Sequence, residues 1–167
     1  LEFRRVLFRS LSTDANGLTD SDAVAITVSS VNDGPVNTVP GAQTVNEDTL
    51  LSIGGVTVND VDGNLSSAQL SVASGALNVS LAGGATISAG ANGSSTLTLS
   101  GTQAQINAAL ASLSYQGNAE FNGADTLTVL STDANGATDA DAVAITVSSV
   151  NDGPVNTVPA AQTVNED

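Results

Sequence analysis

Val24, Ile26 and Val28 alternate with Ala25, Thr27 and Ser29, and Val143, Ile145 and Val147 repeat the pattern. A period of two belongs to a strand that buries one face. Shorter apolar runs at Leu51–Ile53, Val56–Val58, Leu70–Val72, Leu77–Leu81, Leu97–Leu99 and Leu127–Val129 predict further strands. Gly54-Gly55, Gly83-Gly84, Asn92-Gly93, Asn122-Gly123 and Asn135-Gly136 predict turns near them. Many short strands at this spacing predict an all-β sandwich or barrel. One segment changes period: Ile106, Ala109, Leu110 and Leu113 follow i, i+3, i+4, i+7, and Thr102 with Gln105 forms a capping-box pattern. A short helix over Thr102–Ala111 is expected, laying one apolar face over the sandwich edge. It carries no titratable group, so its expected role is to cover the core.

The pattern also repeats at long range. Residues 12–48 and 131–167 agree at 34 of 37 positions at an offset of 119, the exceptions being Leu18/Ala137, Ser21/Ala140 and Gly41/Ala160. This is the signature of a tandem array. It divides the chain into the end of a preceding unit (11–31), one complete unit (32–150) and the start of the next (151–167). Residues 23–31 and 142–150 are then two copies of one strand. The upstream copy is expected to pair loosely or stay disordered, because the four residues Asn32–Pro35 span only about 14 Å and cannot carry it to the far end of the same sandwich.

The opening LEFRRVLFRS stands apart. It holds all three basic residues (Arg4, Arg5, Arg9) and two of the three Phe. It looks like a translated sequencing-library adapter, which read in frame gives all ten residues, so residues 1–10 are set aside as foreign. Residues 11–167 have no Lys or Arg and sixteen carboxylates. Without Cys or His, zinc fingers, thiol catalysis, disulfides and Ser-His-Asp triads are excluded. The net charge of −14 repels phosphate backbones and anionic membranes. No apolar run approaches the ~18 residues of a membrane helix. With only Tyr115 and Phe121 as aromatics after residue 10, the core must be Val, Leu, Ile and Ala.

Candidate chemistry is confined to acidic clusters: Asn32-Asp33, Asn46-Glu47-Asp48, Asn59-Asp60-Val61-Asp62-Gly63-Asn64, and Asp133-Ala134-Asn135 with Asp139 and Asp141. Each also reads as turn chemistry. Taken together in a stretch without cations, hard oxygen ligands suit Ca²⁺. None matches a full EF-hand loop.

The stretch LTVLSTDANG…DAVAITVSSVNDGPV resembles the end of a cadherin-type domain, with its V-x-A-x-D strand and V-N-D-N-x-P linker. VTVNDVDGNLSSAQLSV resembles the A-x-D-x-D-x-G-x-N stretch of the same family. With NEDT, the whole unit is similar to the cadherin-like tandem repeats of giant bacterial surface adhesins. INAALASLSYQGNAEFNGADTLTV is also similar to chondroitin-sulfate-proteoglycan-type repeats. The resemblance implies a cadherin/immunoglobulin-like β-sandwich with one short helix near 102–111, and calcium at the junctions between units. Carried over, the upper junction holds Asn32, Asp33, Asp60, Asp62 and Asp133, and the lower junction Glu47, Asn151 and Asp152. The linker lacks the second Asn of N-D-N and there is no L-D-R-E motif, so such sites would bind weakly, at ~10⁻⁴–10⁻³ M.

The expected function is that of a non-enzymatic module of a large secreted or cell-surface adhesin of bacterial origin, a calcium-stiffened spacer in cell adhesion or biofilm formation. The alternative is a calcium-dependent ligand- or carbohydrate-binding domain. The expected partners are neighbouring repeats of the same chain and surface or matrix ligands, with no nucleic acid and no membrane insertion. Glu120 and Asp125 are the nearest candidates for carboxylate-pair hydrolysis, but nothing near them in sequence is suited to tune a pKa.

Overall fold

The computed structural model describes residues 4–166. Thirteen strands and one helix run in order: β1 Arg4–Thr13, β2 Thr19–Val28, β3 Val36–Thr38, β4 Gln43–Asn46, β5 Leu51–Ser52, β6 Thr57–Asn59, β7 Leu65–Ser71, β8 Gly75–Asn78, β9 Thr86–Gly90, β10 Thr96–Ser100, α1 Gln103–Leu110, β11 Ser114–Gly117, β12 Gly123–Asp133 and β13 Thr138–Ser148. A six-stranded sheet in the order β4-β13-β12-β7-β10-β9 forms one layer. A three-stranded sheet β5-β11-β8, a β3-β6 pair and α1 complete an all-β sandwich with one short helix, as the strand pattern predicts. One core runs from Val45 to Val147, with Leu70, Leu97, Leu99, Leu110, Tyr115 and Leu127 fully enclosed.

Alternation becomes burial along β13, where Val143, Ile145 and Val147 face in and their neighbours face out or lie half-covered. β12 pairs with it antiparallel, from Gly123 opposite Val147 to Thr132 opposite Thr138. On its other flank β13 takes β4 in parallel, Ile145 opposite Gln43 through Ser148 opposite Asn46.

The helix begins as its capping box dictates. The Gln105 N–H donates to Thr102 Oγ1, and Thr102 N–H donates to Gln105 Oε1. Ile106, Ala109 and Leu110 pack inward. Its polar face closes the sheet margin, because Asn107 donates to Val58 C=O and accepts from Val58 N–H, both at 2.9 Å, as a neighbouring strand would.

The upstream segment departs from expectation. β1 and β2 form a hairpin with ten opposed pairs, Arg4 opposite Val28 through Thr13 opposite Thr19. Adding 119 to each number reproduces the β12–β13 register. The residues set aside as foreign therefore occupy the place of β12, since a hairpin needs only an extended partner and a turn. As expected, this segment stays off the core: β2 is exposed throughout, with Val24 at 56% against 1% for its copy Val143. Residues 151–166 form no strand or helix and are exposed.

Candidate functional site

β12 carries the chemistry of both ends of the sandwich. Its inward positions are Asp125, Leu127, Val129, Ser131 and Asp133, all buried. The two carboxylates are eight residues apart, about 27 Å along a strand, and each gathers the loops at its own end.

At the upper end, Asp133 accepts backbone N–H bonds from Asn135 and Ala137 and a 2.7 Å bond from the Asn32 side-chain amide. Asn32 is the largest influence holding the Asp133 carboxyl below its ordinary range; burial works the other way, and Asn32 together with the turn's N–H groups outweighs it. Asp33 N–H donates to Asp62 Oδ2 at 2.7 Å, and Asp62 N–H donates to Asp60 Oδ1 at 3.0 Å. The Asn64 amide lies 2.8 Å from Asn32 Oδ1 and, in its other orientation, 2.8 Å from Asp60 Oδ2. Asn135 also donates to Asn32 Oδ1. The fold thus joins Asn32, Asp33, Asp60, Asp62 and Asp133 in one hydrogen-bonded cluster. It adds Asn64 and Asn135, whose only sequence signal was their place in Asp-rich turns.

At the lower end, Glu47 is buried, accepting from Val150 N–H at 2.6 Å and from the Asn122 amide at 3.3 Å. Beside it Asp48, Glu120 and Asp152 bring carboxylate oxygens within 4.8 Å of one another. The negative charge of Asp152, then that of Asp48, pushes the Glu120 carboxyl above its usual range, so it holds its proton more readily. Asp48 and Glu120 both sit at positive φ, 58° and 59°. Asn151 does not join this group; its side chain reaches only Asp152 C=O, at 3.4 Å. Asp48 and Glu120 are missing from the junction set expected from sequence, because both sit at positive φ, a backbone conformation that no pattern announces.

Asp125 is a different kind of group. It accepts from Ala73, Ser74 and Thr126 N–H at 3.0, 2.9 and 2.7 Å, and from the Tyr115 hydroxyl at 3.0 Å. Burial works to raise its pKa, but the four donors together lower it. Tyr115, buried and facing that carboxylate, is shifted strongly upward. The expectation that nothing tunes Asp125 or Glu120 is therefore corrected. Asp125 is tuned by donors from a turn fifty residues earlier, and Glu120 by carboxylates from two other loops.

An all-β sandwich unit with oxygen-rich clusters at both ends, set in a tandemly repeated sequence, defines an acidic repeat module. The chain belongs to the family of the Protein GAMETE EXPRESSED 2 domain (GEX2), whose family model matches residues 47–142, more than half of its length. No curated protein matches the sequence. Membership in this family overturns the resemblance to cadherin-like repeats of bacterial adhesins and to chondroitin-sulfate-proteoglycan-type repeats. With it fall the bacterial origin, the adhesin and biofilm role and the carbohydrate-binding alternative. The physical reason lies in the motifs. V-N-D-x-P and D-x-D-G are turn and oxygen-donor chemistry that a sandwich with acidic ends uses whatever its lineage. Among the described residues no helix is long and apolar enough to cross a membrane.

Proposed function

We propose that this chain is a non-enzymatic unit of a tandem array, working outside the cell, whose acidic ends bind Ca²⁺ weakly where one unit meets the next. The observation that carries this is the upper cluster. Asn32 and Asp33 come from the linker that joins the preceding unit to the complete one, and they are hydrogen-bonded to Asp133 and Asp62 of the latter. The first residues of the unit, next to the preceding one, are thus tied to carboxylates of its own body. The donor set is all carboxylate and amide oxygen, the chemistry a Ca²⁺ ion takes, and no Lys or Arg lies beyond residue 10 to compensate it. Asp33, Asp60, Asp62 and Asp133 would hold the ion, with Glu47 and Asp152 as their counterparts below. A non-catalytic role is supported by Asp125, whose oxygens are occupied by four donors. The family takes its name from a gamete-expressed protein, and membership supports that setting for this unit.

The test is the melting temperature of a chain of two complete 119-residue units, in EDTA and across a Ca²⁺ titration with Mg²⁺ as control. Ca²⁺ at ten times a ~10⁻³ M Kd stabilises by about 1.4 kcal/mol. A rise that sets in near millimolar Ca²⁺, grows with the logarithm of its concentration and disappears in Asp60→Asn/Asp62→Asn is expected. No rise would overturn the metal assignment.

A further inference from the structure

Residues 63–119 contain no Asp, Glu, Lys, Arg or His, so the elements they build, β7 through β11 with α1, carry no charge in an otherwise acidic unit. Asn-x-Ser occurs three times in the chain, at Asn64-Leu65-Ser66, Asn78-Val79-Ser80 and Asn92-Gly93-Ser94, each time inside that stretch. None of the ten Asn outside it is followed at the second position by Ser or Thr. This tripeptide is the acceptor of N-linked sugar, and it serves as one where the Asn side chain reaches solvent.

The structure separates the three. Asn64 is held in the upper cluster, its amide 2.8 Å from Asn32 Oδ1. Asn92 commits both amide atoms to Val79: its Oδ1 accepts from the Val79 N–H at 2.8 Å, and its Nδ2 donates to the Val79 C=O at 2.9 Å. Asn78 is the last residue of β8. Leu77 before it and Val79 after it are buried, so alternation turns Asn78 away from the core, and it is partly exposed. A side chain reaches only its backbone C=O, from Ser114 Oγ at 3.5 Å; its own amide makes no hydrogen bond among the described residues. Ser80, which completes the tripeptide, is exposed beyond the end of the strand.

We propose that Asn78 is an N-glycosylation site, the one of the three that the fold leaves free to carry a sugar. The donor is an oligosaccharide on a lipid pyrophosphate. The C1–O bond between sugar and pyrophosphate breaks and a C1–Nδ2 bond to Asn78 forms. The pyrophosphate leaves with the bonding electrons, and one amide proton passes to a base of the transferase. Elsewhere on the unit, like charge keeps copies apart. The charge-free elements lack that repulsion, and a bulky, hydrated glycan supplies separation there. The assignment rests on the extracellular reading above and needs no metal.

The test expresses the full 167-residue chain behind a secretion leader in eukaryotic cells. Only chain recovered from the medium is scored, so every molecule counted has passed the transferase. Peptide-N-glycosidase in heavy-oxygen water then marks each sugar-bearing Asn for mass spectrometry of its peptides. The label is expected at Asn78 in most of the secreted chain, lost in Asn78→Gln and in Ser80→Ala, and kept in Ser80→Thr. A secreted chain without label at Asn78 would overturn the proposal, as would label at Asn64 or Asn92 in its place, or label at Asn78 that survives Ser80→Ala. The leader sets the location whatever the native address, so a chain without sugar refutes Asn78 alone. A native array found inside the cell would refute the extracellular reading instead.

Discussion

Asp125→Ala leaves four donors without their acceptor: Ala73, Ser74 and Thr126 N–H, and Tyr115 O–H. A buried donor left unpaired costs about 1–3 kcal/mol, but those nearest the surface regain water. We therefore expect a loss of about 3–5 kcal/mol, a large part of the 5–15 kcal/mol typical of a domain. Asp125→Asn is milder, because one oxygen survives to accept from two donors. On the other side the new amide faces Tyr115, whose hydroxyl can turn to donate to the Ser74 carbonyl, 3.3 Å away. Only Ser74 N–H is then orphaned, at about 1–3 kcal/mol. Tyr115→Phe removes one hydrogen bond and leaves the carboxylate three donors, costing about 0.5–1.5 kcal/mol. The assay is urea unfolding at pH 7, monitored by far-UV circular dichroism. Fluorescence of Tyr115 adds a second probe where it is kept, because it is the sole Tyr, there is no Trp, and its ring is fully buried. The expected order of loss is Asp125→Ala, then Asp125→Asn, then Tyr115→Phe. An Asp125→Ala loss below about 1 kcal/mol, or an Asn variant as damaging as Ala, would refute the account of Asp125 as an acceptor for four donors.

The same geometry sets three further outcomes. Asp125 and Asp133 have lowered folded-state pKa values, so their stabilisation is present above the ordinary Asp value of about 3.9 and lost as pH falls through their lower folded values. Glu120, raised, has the opposite sign, so protonating it relieves repulsion first; urea midpoints should hold or rise slightly down to about pH 4.5 and then fall, and a steady decline from pH 7 would contradict this. Gly75→Ala drives a Cβ into the Tyr115 ring and to 2.5 Å from Gln116 C=O, and should lower stability by about 1–3 kcal/mol or more, read as a shift in melting temperature. Asn107→Ala strips both bonds from Val58 at the sheet margin and should cost about 1–3 kcal/mol, with faster hydrogen exchange at the Val58 amide as the local signature.

What could be read in advance was whatever is local. Alternation at Val143–Val147 and the Thr102/Gln105 cap describe strand and helix with no knowledge of their neighbours. β4 escaped because Gln-Thr-Val-Asn buries only Val45, and its stability comes from a partner a hundred residues away. β11 escaped because its single large apolar residue, Tyr115, sits among Ser, Gln and Gly. The upper cluster was legible because its members lie in turns that are Asp-rich in sequence. Asp125 was not, since an isolated Asp in a strand looks like a surface residue until Ala73 and Ser74 are folded against it. The family assignment was misread for a related reason: acidic turn motifs report an architecture, and the lineage lies in the whole stretch 47–142.

The parallel β4–β13 ladder also bears on the order in which the chain is made. Gln43 leaves the ribosome 102 positions before its partner Ile145, a wait of about 5–20 s at ordinary elongation rates. During that time a copy of its partner is already in view at Ile26, 17 positions upstream, far enough away to allow the crossover a parallel pair requires. Each new unit of an array with identical neighbours therefore meets the wrong mate before the right one. A four-residue strand is short enough to let go of the decoy, and the brevity of β4 is what allows the unit to correct that mistake when Ile145 arrives.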